Sequence, residues 1–117
     1  MYERHELGKE GEEEAAKFLE QKGYKIIKRN FECRQGEIDI IAKDANEYVF
    51  IEVKTRQNFH YGRPSEAVDE KKQKHIWNCA KYYLYYYKLE NQFTRFDVVE
   101  VYKKNGKFYF NHIKQIK

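Results

Sequence analysis

At 117 residues the chain is long enough to bury a core of its own and is expected to form one domain over 1–117. Hydrophobic residues make up 41% and charged residues 36%, which excludes a disordered chain, and no apolar run approaches the ~20 residues of a membrane helix. The net charge of +4 is too small to demonstrate nucleic-acid binding, although acidic residues gathered at one site would leave the remaining surface more basic.

The start, Met-Tyr-Glu-Arg-His-Glu, lacks the apolar segment of a signal peptide, so the expected location is the cytoplasm, with no membrane partner. Cys33 and Cys79 lie far apart without zinc-ligand spacing and are expected as reduced thiols. The first predicted helix covers Glu3 to Lys22. Leu7, Gly11, Ala15, Phe18 and Leu19 form its inward stripe, and Gly23 ends it. Tyr24 to Cys33 follows as a strand. Tyr24, Ile26, Lys28 and Asn30 take one face, and Lys25, Ile27, Arg29 and Phe31 take the other. Arg29 and Arg34 are candidate phosphate contacts, with plain surface charge as an equal alternative.

Gly36 to Arg56 reads as an antiparallel hairpin turning at Asp44-Ala45-Asn46-Glu47. Alternation puts Ile38, Ile40 and Ala42 on one side and Glu37, Asp39 and Ile41 on the other. In the second strand Val49, Ile51 and Val53 oppose Phe50, Glu52, Lys54 and Arg56. With the turn centred between Ala45 and Asn46, Asp39 falls across from Glu52 and Glu37 across from Lys54. Opposed side chains on one face sit roughly 4.5–5.5 Å apart at Cβ, so the two carboxylates repel. A divalent cation between them removes that objection, and Mg²⁺ is commonly held by one or two carboxylates, waters and substrate phosphates. Lys54 remains on that face, where it can stabilise developing negative charge. A solvated outer face of alternating charge is the competing reading, and a one-residue slip would separate the carboxylates.

Gln57 to Ser65 mixes Phe59, His60, Tyr61 and Arg63, a composition that suits either phosphate and base contact or simple packing. Ala67 to Lys88 is the second predicted helix, entered through Pro64 and Ser65. Val68, Ile76, Cys79, Ala80, Tyr83, Leu84 and Tyr87 form its stripe. The tyrosines from Tyr82 to Tyr87 fit core packing or a subunit interface better than base stacking. Phe93 to Val101 is a strand. Asp97 there is a third candidate ligand or a structural partner of Arg95. Lys104-Asn105-Gly106 turns into a last strand, Lys107 to Ile113.

These motifs carry a resemblance. Asp39 followed by Glu52-x-Lys54 is similar to the signature of the restriction-endonuclease-like nuclease superfamily. Gly36-Glu37-Ile38-Asp39, Ala42-x-Asp44, Phe50-x-Glu52-Val53-Lys54-x-Arg56 and Arg95-Phe96-Asp97-Val98-Val99 resemble the YraN family of small bacterial proteins, itself similar to archaeal Holliday-junction resolvases. Ile38 stands where the superfamily pattern has proline, which weakens the motif's specificity but not its chemistry. The resemblance implies an α/β fold with a restriction-endonuclease-like core, a mixed sheet of about five strands and two long helices in the order αβββαββ. It implies Mg²⁺, with Mn²⁺ as substitute, held by Asp39 and Glu52 with Glu12 and the Val53 carbonyl as further ligands. Glu12 matches a helix glutamate in Gly11-Glu12-x-x-Ala15. Lys54 would align the attacking water, with Glu37 tuning it or forming a cross-strand ion pair. Lys72, Arg56 and Arg63 would hold flanking phosphates.

Three functions fit. The first is a metal-dependent DNA endonuclease, acting on branched DNA as a homodimer if paired cuts are made. The second is a nucleic-acid-binding module with a vestigial site. The third is a protein-interaction module using the tyrosine-rich helix.

Overall fold

The computed structural model describes residues 2–34, 36–56 and 70–114, with side chains described from Gly8 onward. Its elements follow as α1 Tyr2–Gln21, β1 Lys25–Cys33, β2 Gly36–Asp44, β3 Glu47–Arg56, α2 Glu70–Tyr86, β4 Phe93–Lys104 and β5 Lys107–Ile113. The order αβββαββ matches the expectation, while β4 runs three residues beyond the predicted end at Val101. The predicted start of α2 and the stretch holding His60, Arg63 and Pro64 lie outside the described residues.

The strands form one sheet in sequence order, β1 through β5. Each neighbouring pair is antiparallel except β3 and β4, which run parallel. A parallel pair needs a crossover between its strands, and α2 lies in that connection. β3 lies at the centre of the sheet and β4 between β3 and β5, each with a strand at both edges and core on both faces. Both therefore read as nearly unbroken buried runs, Val49–Val53 and Arg95–Val101.

Each helix closes one face. Ala15, Ala16 and Leu19 of α1 pack on Ile40, Ala42, Val49, Ile51, Val53, Val99 and Val101. Ile76, Cys79, Ala80, Tyr83 and Leu84 of α2 pack on Ile38, Ile41, Phe50, Phe96 and Val98. Tyr87, expected in that stripe, lies past the end of α2 and is half exposed. Gly11 is buried where α1 meets β3, and a Cβ there would run into the Thr55 side chain. The helix can approach this closely only because the position is glycine. Asn105 and Gly106 both take positive φ between Lys104 and Lys107, the tight turn expected of Asn-Gly.

The cysteines correct an expectation. Cys33 and Cys79 are joined by a disulfide, their Cα atoms 5.8 Å apart. Sequence distance gave no hint of this, because the end of β1 and the middle of α2 meet only through the fold. The bond closes a loop across 46 positions that includes β2, β3 and the start of α2. Reduction is expected to lower stability by about 2–4 kcal/mol. Urea unfolding with and without dithiothreitol measures it, and coincident midpoints would show that the bond contributes nothing.

Candidate active site

Glu52 reaches the site by regular alternation. In β3 the side chains of Val49, Ile51 and Val53 face α1 and that of Phe50 faces α2. The two-residue period therefore sends Glu52 and Lys54 toward α2. There Lys72 of α2 brings Nζ to 2.6 Å from Glu52 Oε1, and Lys54 Nζ lies 3.9 Å from the same oxygen.

Asp39 arrives by a break in alternation. The β2–β3 ladder runs from Asp44↔Glu47 to Ile40↔Ile51, the register expected from the turn, and continuing it places Asp39 across from Glu52. The ladder stops there. Instead Asp39 Oδ2 accepts the Val53 N–H at 2.8 Å. On the other side Asn30, with φ 53°, drops out of the pairing between Arg29↔Ile40 and Phe31↔Ile38. The consequence is a change of face: Ile40 packs under α1 while Ile38 packs under α2. Strict alternation had put both on one side, as it had Arg29 and Phe31. Phe31 now packs under α2, and Arg29 turns to Glu13 of α1, with Nη1 2.7 Å from Oε1.

The strands thus part where Asp39 and Glu52 meet, and both carboxylates are buried, 9% and 5% exposed. Burial first, then the charge of Glu52, pushes the Asp39 carboxyl up to about 8, against the Val53 N–H that favours its ionised form. Burial and the neighbouring Lys72 both lower the Lys54 pKa. Burial pulls Lys72 down too, but its hydrogen bond and ion pair with Glu52 outweigh this and leave it raised. An extended residue projects its N–H and C=O to the same edge, so Val53 also offers a carbonyl toward the gap.

The other candidate residues separate into groups. Glu12 is half-buried, its carboxyl raised by burial and then by the charge of Glu37, so it borders the site. Glu37 is exposed and faces Glu32 across β1; the described β2–β3 ladder ends before it could meet Lys54. Among the described residues no three His, Cys, Asp or Glu side chains gather at metal-ligand spacing. Asp39 and Glu52 form the buried pair, and Glu12 lies close enough for its charge to act on Asp39. Arg34 is exposed just beyond β1. Arg56 directs Nε to Glu100, at 3.4 Å from Oε2.

The scan for known families matches this chain over residues 11–101 to an uncharacterised protein family, UPF0102. The chain belongs to the UPF0102 family. This is the YraN family that the motifs resemble. A UPF0102 protein of Caldicellulosiruptor saccharolyticus is 52% identical over 99 residues, covering 85% of this chain and 84% of the relative. One from Clostridium botulinum strain 657 is 50% identical over 97 residues, covering 82% and 79%. One from Caldanaerobacter subterraneus subsp. tengcongensis is 44% identical over 110 residues, covering 94% and 90%.

Two buried polar clusters in this UPF0102 protein lie apart from the carboxylate pair. Asp97 sits in register with Ile51, one position out of phase with Glu52, so it turns to the opposite face of the sheet. There Arg95 clamps it with Nε and Nη2 at 2.9 and 3.0 Å, and the same guanidinium reaches Asp44, Glu47 and the Tyr24 hydroxyl. His112 Nε2 adds a contact to Asp97 at 2.8 Å. Of the two roles open to Asp97, the structural one is realised. The second cluster centres on Glu100, fully buried, which accepts from Arg56, Tyr102 and Asn111. Sequence reasoning missed Glu100, although it continues the inward face of Phe96 and Val98.

The raised Asp39 pKa sets a pH dependence. The folded state holds this proton more tightly than the unfolded chain, so its contribution is complete below about pH 4 and is lost as pH rises toward 8. Asp39→Asn keeps an acceptor for the Val53 N–H without the charge. With chelator present, the variant is expected to be more stable than wild type by about 1–3 kcal/mol at pH 8–9, the gap closing toward pH 5. Urea midpoints across pH measure this, and a wild type more stable at pH 9 would contradict the buried-charge account.

Proposed function

We propose that this protein is a metal-dependent endonuclease that hydrolyses phosphodiester bonds in DNA. The observation that carries this is the meeting of two buried carboxylates, Asp39 and Glu52, with Lys54 and Lys72 at the oxygen of one of them. As a purely structural device the pair is unfavourable: burial and mutual repulsion oppose ionisation of Asp39. An all-oxygen donor set of this kind suits a hard divalent cation.

Asp39 and Glu52 would hold Mg²⁺, or Mn²⁺ in its place, with the Val53 carbonyl as a further ligand and Glu12 near enough to act through water. Such an ion, when bound, lowers the pKa of a water and offsets the charge of the scissile phosphate. The residues themselves supply positioning. The Val53 N–H fixes one Asp39 oxygen, and the carboxyl also meets that of Glu52, the contact a cation would replace. Lys54, half-buried, orients the attacking water or stabilises charge developing on phosphate. Lys72 holds Glu52 in the absence of a cation and can turn to a phosphate once the carboxylate is otherwise engaged. Arg56 is anchored by Glu100 at the end of the same strand, where a flanking phosphate would be met. The resolvase resemblance makes branched DNA the first substrate to test, and symmetrical cuts would require a homodimer.

The test is cleavage of linear, single-stranded, flap and four-way-junction DNA by wild type and Asp39→Ala, in Mg²⁺, Mn²⁺ and chelator. Metal-dependent cutting is expected from wild type, with a loss of a hundredfold or more in the variant. Equal cutting by both, or cutting in chelator, would overturn the assignment. A thermal shift with Mn²⁺ in wild type and none in Asp39→Ala is expected alongside.

A further inference from the structure

The outer side of α2 and the end of β1 form an open groove of about 770 Å³, whose walls include Glu32, Arg34, Asn78, Lys81, Tyr82 and Tyr85. Tyr82 touches the core only at its edge, through Phe31. Tyr83 takes the buried position on this helix, while Tyr82 and Tyr85 are 53% and 72% exposed. Tyr82 also lies nearly parallel to Tyr86, one turn on, with centroids 6.1 Å apart. Neither Arg34 nor Lys81 joins an ion pair among the described residues, whereas Arg29, Lys54, Lys72, Arg56 and Arg95 all do.

Charge along the helix points the same way. The α2 segment carries Lys71, Lys72, Lys74 and Lys81 against Glu70 alone, and Glu32 is the single acid among the described residues of the groove wall. From Gly8 onward, α1 on the opposite face carries Glu10, Glu12, Glu13, Glu14 and Glu20 against Lys9 and Lys17. A polyanion is drawn to the α2 side. A second copy docking through this face would set lysines against lysines. A ligand that matches both exposed rings and unpaired cations is single-stranded nucleic acid, whose bases present π faces that a duplex hides. Tyr85 lies about 20 Å along α2 from Lys72, which spans about six stacked nucleotide steps at 3.4 Å.

We propose that this groove binds unpaired nucleotides, with Tyr82 and Tyr85 stacking on bases and Arg34 and Lys81 contacting phosphates. The inference rests on the nuclease reading for its purpose, since it makes the substrate a DNA with a single-stranded segment on the α2 side of the cut. Its test does not depend on cleavage.

Fluorescence anisotropy in chelator, on an Asp39→Asn background, compares a labelled single strand of about twelve nucleotides with the matching duplex. Replacing Tyr82 and Tyr85 together by Ala is expected to weaken single-strand binding tenfold or more and change duplex binding less than twofold. The double Phe variant keeps the rings and stays within threefold. Arg34→Glu with Lys81→Glu weakens binding and flattens its salt dependence. Thermal midpoints are expected to fall only slightly, since Tyr82 loses an edge contact with Phe31 and the other side chains are exposed. An Ala variant that binds the single strand like its parent overturns the proposal. So does equal loss for strand and duplex, or a variant whose only change is a smaller sedimenting mass, which would make the face a self-association surface. Cleavage without strand discrimination defeats the groove alone, and discrimination without cleavage defeats the nuclease reading alone.

Discussion

Two carboxylates cannot lie side by side in a protein interior unless something nearby makes it tolerable, and Asp39 with Glu52 sets that condition for its surroundings. The structure meets it in three ways. Lys72 reaches down from α2 to Glu52. Asp39 takes a backbone N–H from Val53 and tends to keep its proton. The β2–β3 ladder gives way just where the side chains meet, so that ladder hydrogen bonds yield to the carboxylate. The crossing of Ile38 and Ile40 to opposite faces belongs to the same event, as does the left-handed Asn30 on the adjoining strand. The same change of phase places Asp39 in the gap and sends Ile38 and Phe31 into the core under α2.

Much of this was legible in the residues. The turn at Ala45-Asn46 fixed the register that sets Asp39 across from Glu52, and Asn105-Gly106 fixed the last hairpin. The alternating apolar positions of β3 and β4 located the core. What escaped were departures from periodicity and contacts made by the fold. An argument from alternation assumes that the strand never changes phase, so it could not see Ile38 and Ile40 part company. Cys33 and Cys79 meet because α2 lies against the end of β1, a fact absent from their spacing. For Asp97 the residues left two roles open, a ligand or a partner of Arg95, and parity with Ile51 decides for Arg95. Arg56 and Arg29 each found an acid, Glu100 and Glu13, through contacts between elements distant in sequence.

The sheet also divides polar labour between its faces. On the α1 side, Arg95, Asp97, Asp44, Glu47, Tyr24 and His112 satisfy one another in a closed cluster, and burial raises the Tyr24 hydroxyl to about 12. That cluster ties the β2–β3 turn to β4 and leaves little for a ligand to use. On the α2 side the cations are more exposed and the acids fewer, so the surface and the carboxylate pair open in the same direction.

The parallel pairing of β3 with β4 has a consequence for how the molecule assembles. The strands β1, β2 and β3 form a meander whose contacts are close in sequence, and β4 with β5 is a hairpin. Joining the two requires the long crossover through α2, the costliest loop closure in the chain. Asp39 and Glu52 are both in the meander, whereas Lys72 comes with the crossover. During folding the two acids can therefore approach each other with only Lys54 beside them, and the step that completes the sheet is the one that brings Lys72 to Glu52.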